Sequence, residues 1–126
     1  MFLNFTNHPS ALWSAEQLKA ASAYGPVQDF PFPVVPPEWD IGRICAFADA
    51  LFEQILAMHP TAVLCQGEMT LTYQLVKRLC AAGIPALCAC SERVTEEIPL
   101  PDGATKKTSR FEFRGFRLYA VPEKSD

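Results

Sequence analysis

Three polar stretches interrupt an otherwise apolar chain and hold its chemically capable residues. The first is Asn7-His8-Pro9-Ser10, followed by Trp13; the second is Gln66-Gly67-Glu68, followed by Thr70, Thr72 and Tyr73; the third is Cys90-Ser91-Glu92-Arg93. Histidine is the side chain best suited to accept and return a proton near neutral pH, so His8 is a candidate general acid or base. Its plainer role is to satisfy loop backbone beside Asn7, with Trp13 stapling the loop to the following helix. In the second stretch Glu68 is the chemical peculiarity. A helix start with free N–H groups favours an anion, and threonine hydroxyls such as Thr70 and Thr72 add donors. A glutamate there already supplies negative charge, so it either caps the helix or serves as a base, a ribose-hydroxyl acceptor or a metal ligand. In the third stretch Arg93 offers the planar fork that grips phosphate. Its plainer role is a surface pair with Glu92, Glu96 or Glu97.

These stretches contain none of the common nucleotide or catalytic signatures. The chain has no G-x-x-x-x-G-K-[ST] loop, no G-x-G-x-x-G after its first strand, no nucleophile elbow, no H-E-x-x-H and no EF-hand loop. Nucleoside-triphosphate hydrolysis and dinucleotide binding of the usual kind are thereby disfavoured. His59, before Pro60, sits where a helix ends and suits the helix dipole. No ligand cluster accompanies His8 and Glu68, so no metal site and no cofactor is expected.

The elements that must position these residues are legible from periodicity. Phe2-Leu3-Asn4-Phe5 reads as a strand. Ser14 opens a helix as its N-cap, with Gln17 reaching back in a capping box, and Gly25-Pro26 closes it. Val27 to Phe32 reads as a second strand, and the Pro-rich stretch to Pro37 must be extended. Asp40 caps the longest helix, whose apolar stripe is Ile41, Ile44, Cys45, Ala48, Leu51, Phe52, Ile55 and Met58. Ala62 to Cys65 is the third strand, and a helix follows over about 69–82. Ile84 to Cys90 is a continuous apolar run, as expected of a strand covered on both faces. Pro101-Asp102-Gly103 is a turn signal between Val94 to Leu100 and Ala104 to Arg114, which predicts a β-hairpin. Arg110 to Arg114 alternates strictly, so one hairpin face is apolar and the other charged. Gly115 marks a bulge or second turn before Phe116 to Val121.

The order is β-α-β-α-β-α-β and then strands without helices. That predicts an α/β, Rossmann-like open sheet, mostly parallel, with an antiparallel hairpin edge. All 126 residues form one domain: a core over 1–92, a hairpin extension over 93–121 and a polar tail over 122–126. If strand one lies between strands two and three, the topological switch falls between strands one and three and brings the first two polar loops together.

Composition narrows the partners. The formal charge is −3, so no global basic field recruits duplex nucleic acid, and an anionic ligand must be held by local groups. The five cysteines are odd in number, lack a C-x-x-C and lie in apolar runs. They read as reduced packing residues of a cytoplasmic protein. No run is apolar and long enough for a membrane span, and the first residues lack a signal peptide's basic start.

In fold, size and loop chemistry, these three stretches resemble CRISPR-associated Rossmann-fold (CARF-like) domains and the compact ring nucleases built around them. The likeness spans roughly residues 1 to 95. Such sensors carry an acidic or amide residue, a threonine three positions on and a basic residue four further. Gly67, Thr70 and Gln74 hold that spacing here, so only the threonine matches. The resemblance implies a homodimer that binds a cyclic oligoadenylate across its two-fold axis. It also implies metal-independent cleavage, with the ligand's own 2′-hydroxyl as nucleophile. His8 or Glu68 would then move the proton, Arg93 and Lys106 would hold phosphate, and Thr70 and Thr72 would orient the ligand. Asn7, Ser10, Trp13, Gln66, Gly67, Tyr73 and Ser91 would complete its binding site. Two other classes stay open: a non-catalytic module for a nucleotide or similar small ligand, and an interaction protein docking through its Phe-rich hairpin.

Overall fold

The computed structural model describes residues 1–124. Its sheet has five strands in the order β2-β1-β3-β4-β5. They are β1 (Phe2–Phe5), β2 (Val27–Asp29), β3 (Ala62–Cys65), β4 (Ala86–Pro99) and β5 (Thr105–Leu118). The helices are α1 (Ala15–Ser22), α2 (Ile41–Met58) and α3 (Met69–Ala81), and a 3₁₀ turn covers Ser10–Leu12. Strands β1 to β4 pair in parallel and β5 runs antiparallel to β4. The fold is therefore α/β and Rossmann-like with an antiparallel hairpin edge. The strand order reverses between β1 and β3, where ligand sites of open α/β sheets lie.

Local chemistry explains the element boundaries. The Ser14 hydroxyl accepts the Gln17 amide at 3.2 Å, and the Asp40 carboxylate accepts the Arg43 amide at 2.9 Å. Both caps satisfy N–H groups that a helix start leaves without partners. The capping box is only half formed, because the buried Gln17 side chain lines a cavity. His59 ends α2 in the left-handed region at φ 53°. Strand β2 stops at Asp29, shorter than the expected Val27 to Phe32, because Pro31 and Pro33 have no N–H to give a ladder. Phe30 and Phe32 still donate to the Asn4 and Thr6 carbonyls at 2.8 and 3.4 Å.

The two sheet faces are covered unequally. Leu3, Phe5, Val63, Cys65 and Ala86 pack under α2 and α3, through Ile44, Ala48, Leu51, Ile55, Leu71, Leu75 and Leu79. Ile41, expected on that stripe, is 62 % exposed at the helix's first turn. Phe2, Ala62, Leu64 and Leu87 face the other way, against Trp13 and Ala21. Only the 8-residue α1 covers that side. A helix is ~10 Å wide and an 8-residue one ~12 Å long. Five strands ~4.8 Å apart span ~19 Å. One short helix cannot cover that width, and the C-terminal ends of β3 and β4 stay open on the α1 side.

Two expectations about β4 are corrected. It is covered on both faces only at Ala86 and Leu87, and Cys88, Ala89 and Cys90 are half-buried. Nor is Cys90-Ser91-Glu92-Arg93 a loop. The strand runs unbroken to Pro99 with one register shift at Cys90/Ser91, opposite Gly115. Only Val63 and Leu64 of β3 pair with β4. Beyond Leu87 the two strands leave the sheet as a long arm, turning at Pro101-Asp102-Gly103, where Gly103 has φ 86° and Asp102 accepts the Ala104 amide at 3.0 Å. The bulge at Gly115 does not divide β5, which continues to Leu118. Of the polar tail, residues 125–126 lie outside the described residues.

Candidate functional site

A cleft of about 640 Å3 lies in the uncovered region, between the first loop and the base of the arm. Its floor is Leu64 and Ala89, its loop wall is Thr6, Asn7, His8 and Trp13, and its arm wall is Ser91, Phe111 and Phe113, with Gln17 and Gln66 closing the sides. His8 is the one titratable side chain among the residues lining it.

The first loop is held from beneath. Asn4, 1 % exposed in the centre of β1, donates its amide to the His8 carbonyl at 2.9 Å and to Asp29 Oδ1 at 3.0 Å. Its Oδ1 accepts the Thr6 hydroxyl at 2.7 Å. The His8 amide donates to Thr6 Oγ1 at 3.1 Å, and the Trp13 indole N–H donates to the His8 carbonyl at 3.0 Å. The Ser10 amide donates to the Asp29 carboxylate. Burial pushes the Asp29 carboxyl up, but the donors from Asn4 and Ser10 outweigh it and hold it below the usual carboxylate range. The main chain of His8 is thus fully engaged while its imidazole is exposed at the cleft. Such pinning is what positions a functional side chain on a loop. Trp13 also packs edge-on against Phe2, with ring centroids 6.1 Å apart. Asn7 is exposed in the cleft, whereas Ser10 contributes its amide to the loop's support.

The second loop behaves differently. The Glu68 carboxylate accepts the Thr70 hydroxyl, the Thr70 amide at 3.0 Å and the Leu71 amide at 2.8 Å. The Thr70 hydroxyl and these amides hold its pKa below the usual range. Both Glu68 and Thr70 are engaged in closing the start of α3, and neither lines the cleft. Gln66 does line it, and its Oε1 accepts the Ala89 amide at 2.9 Å, tying β3 to β4 past their last ladder bond. Gly67 lies against Phe32, whose ring a Cβ there would overlap. Thr72 and Tyr73 line a separate cavity, with Gly67.

The arm has two unlike faces, as strand alternation requires. On one face Arg110 pairs with Glu96 at 2.9 Å and Glu112 at 2.7 Å, and Arg114 pairs with Glu92 at 2.8 Å and Glu112 at 3.0 Å. On the other, Ser91 stands opposite Phe113 and Arg93 opposite Phe111. This second face is the cleft wall. The acidic residues expected to neutralise Arg93 are occupied elsewhere: Glu92 and Glu96 by the arginines and Glu97 by Lys107. Among the described residues Arg93 has no acidic partner, and its guanidinium donates only to Ser109 Oγ at 3.3 Å. Lys106, opposite Ile98, belongs to the charged face near the tip and away from the cleft.

The structure therefore brings Asn7, His8, Trp13, Gln66 and Ser91 around one cleft, while Arg93 shares the arm face of Ser91, Phe111 and Phe113 without lining it. It places Glu68 and Thr70 at a helix cap, Gly67, Thr72 and Tyr73 at another cavity, and Lys106 on the arm's far face. Sequence reasoning missed Asn4, Asp29, Phe111 and Phe113 as parts of the cleft or its support. Asn4 carried a signal, as the one polar residue between Phe2-Leu3 and Phe5.

All five cysteines are free thiols, and burial pushes the Cys65 thiol up to about 12. No helix among the described residues is long and apolar enough to cross a membrane.

The model of the Uncharacterized protein MJ1673 family matches residues 1–117, and the chain belongs to that family. No curated protein and no solved structure matches it.

Proposed function

We propose that the cleft binds a nucleotide-type anion, and that this ligand is a cyclic oligoadenylate held by two copies of the chain. One observation carries the reading: Arg93 stands without an acidic partner on the arm face that presents Phe111 and Phe113 to the cleft. A free guanidinium suits a phosphodiester, and aromatic rings suit a base. His8, Asn7, Gln66 and Ser91 supply hydrogen-bonding groups around the same space. Phe111 is 75 % exposed and Leu12 is 70 % exposed, an apolar rim that a ligand or a second copy would cover. The oligoadenylate and the dimer come from the resemblance to CARF-like domains; a cyclic ligand with two-fold symmetry would meet two equivalent clefts.

Binding without turnover is the reading the cleft supports best, because Glu68 is committed to its helix and His8 is left as the sole titratable group. Ring opening is a second reading, favoured by the pinned main chain of His8. There the ligand's 2′-hydroxyl attacks the adjacent phosphorus and the bond to the 5′-oxygen breaks. The proton leaves the 2′-oxygen for His8 and returns to the 5′-oxygen, giving a 2′,3′-cyclic phosphate and a 5′-hydroxyl. Arg93 would neutralise the phosphorane.

The test is titration of the purified chain with cyclic tetra- and hexa-adenylate, with chromatography of the ligand afterwards. Micromolar binding that falls at least tenfold in Arg93→Ala supports the proposal, and absence of binding at micromolar protein removes it. Linear product that disappears in His8→Ala while binding persists selects the nuclease, and intact ligand selects the binder.

A further inference from the structure

We infer that the outer edge of β5 is the interface at which two copies of this chain join, antiparallel and centred on Phe111. The interface is assigned from the arm alone and needs neither the ligand nor the reaction proposed for the cleft.

The arm lacks ladder support within its own chain. Beyond Leu87, β4 pairs only with β5, and among the described residues no strand lies beyond β5. A two-stranded ribbon is marginal in water by itself, and further strands stabilise it.

Register fixes which main-chain groups are free. At the tip the Leu100 amide donates to the Ala104 carbonyl at 2.7 Å, so the main chain of Ala104 points at β4. Antiparallel ladders alternate, so the even residues from 106 to 112 also turn their N–H and C=O groups to β4. Thr105, Lys107, Ser109, Phe111 and Phe113 turn theirs outward. This alternation ends at the register shift opposite Cys90/Ser91. Lysines blunt the edge near the tip. The stretch from Ser109 to Phe113 has none, and its centre, Phe111, is 75 % exposed. Free edges of this kind accept a further strand.

That stretch complements its own reverse. A two-fold axis at Phe111 sets Phe111 against its equivalent, Ser109 against Phe113 of the partner subunit, and Arg110 against Glu112 of the partner subunit. The outward groups of Ser109, Phe111 and Phe113 then meet as hydrogen-bonded pairs. Directly opposed aromatic and opposite-charge pairs stabilise a sheet, whereas like charges oppose it. Arg110 already lies between Glu96 and Glu112 of its own chain, and the partner's Glu112 continues that alternation. Other registers fit less well. An axis at Arg110 or Glu112 opposes like charges and turns the wrong main-chain groups together. An axis at Ser109 sets Phe111 against a lysine, and one at Phe113 runs into the bulge. The outer edge of β4 is a poorer candidate, because its outward residues from Ser91 to Pro99 include no large apolar side chain and Pro99 has no N–H. The axis stands perpendicular to the joined sheet, so both Phe111 rings, and both clefts beside them, fall on one side.

Sedimentation velocity of the full chain without ligand tests the inference. Twice the 14.0 kDa chain mass is expected. Ser109→Pro and Phe111→Asp should each weaken association at least tenfold. Ser109→Pro removes an N–H that faces away from β4, so far-UV circular dichroism should stay unchanged; Phe111→Asp, at an exposed position, serves if it does not. Mild oxidation reads the register. Opposed hydrogen-bonded residues lie ~5.5 Å apart at Cα, within disulfide reach. Phe111→Cys should therefore give a linked dimer above the wild-type background, while Ser109→Cys, roughly 14 Å from its equivalent, should not. A chain monomeric at about 100 μM, which puts the dissociation constant in the millimolar range or above, overturns the inference. So does a dimer that survives Phe111→Asp, or Ser109→Cys crosslinking in place of Phe111→Cys. The two readings fail separately: a dimer that takes up no cyclic oligoadenylate removes the proposed ligand, whereas a monomer that binds cyclic tetra-adenylate removes this interface.

Discussion

The first and second polar loops look alike as sequence. Each leaves a short apolar strand, carries one ionisable residue and enters a helix. In the structure they are opposites. The loop at His8 has its main chain satisfied from outside itself, by Asn4, Thr6 and Trp13, so its imidazole is not needed for support. The loop at Glu68 satisfies its own helix with its own carboxylate. The difference shows that a polar loop residue is available to a ligand only when something else meets the demands of the backbone around it. A buried polar residue in a neighbouring strand is therefore as informative as the loop itself.

Breaking the outside support should have the largest effect. Asn4→Ala removes a buried side chain that gives two hydrogen bonds and accepts a third. It is expected to cost about 2–4 kcal/mol, the sum of lost bonds and groups left partly unsatisfied. Ligand affinity at the cleft should fall with it, because the His8 loop loses its anchor. Chemical denaturation beside ligand titration measures both; a loss below ~1 kcal/mol with intact affinity would show that Trp13 and Thr6 hold the loop unaided.

Next comes the packing of the second loop. A Cβ at Gly67 would overlap the Phe32 ring, itself 4 % exposed and packed at a tilt against Phe5 with ring centroids 4.9 Å apart. Gly67→Ala should therefore destabilise by about 1–3 kcal/mol through overpacking. A wild-type melting temperature would mean that Phe32 and the Pro-rich segment shift freely, and that the loop is not fixed by that contact.

Removing the cap sharpens the contrast directly. Glu68→Ala should cost about 1 kcal/mol, as other lost N-caps do. The folded-state pKa of Glu68 lies below its unfolded value, so its contribution is fully present above about pH 5. It is lost as pH falls through the lowered value, and wild type and variant should converge in acid. Asp29, also lowered, loses its stabilising contribution in the same direction. Affinity for a cleft ligand should stay within about twofold in Glu68→Ala. A tenfold loss would return Glu68 to the site.

Much of this was legible in the sequence because apolar periodicity reports burial. The α/β alternation, the Ser14 and Asp40 caps, the Pro101-Asp102-Gly103 turn and the two-faced Arg110 to Arg114 stretch all carry such local signals. The base of the arm did not, because Ser91, Glu92 and Arg93 continue a strand that leaves the sheet. With no core to face, that stretch shows no apolar run, and its pairing is set by residues some twenty positions away. The cleft was half legible for a related reason. His8 and Asn7 follow β1 at the switch point, Ser91 lies within β4 beside β3, and topology gathers them. Whether Glu68 faces a ligand or its own helix depends on side-chain direction, which spacing does not fix. Asn4 and Asp29 read as ordinary strand residues because their role is to satisfy a loop other than their own.

The smallest expected effect on stability is at His8, and it carries the most information about function. His8→Ala leaves every main-chain bond of the loop in place, since the amide to Thr6 and the carbonyl to Asn4 and Trp13 do not involve the imidazole. Its side chain is exposed, so the change should move stability by less than about 0.5 kcal/mol. Against Asn4→Ala, this separates the loop's support from its chemistry: one variant loses the fold of the loop and the other only its imidazole. If the cleft binds without turnover, His8→Ala should lower oligoadenylate affinity by the few-fold worth of one hydrogen bond and nothing more. If it cleaves, the variant should hold ligand and lose linear product by ~10²–10⁴, the span of general acid–base catalysis. Unfolding comparable to Asn4→Ala would mean the imidazole is itself part of the support, and the contrast between the two loops would disappear.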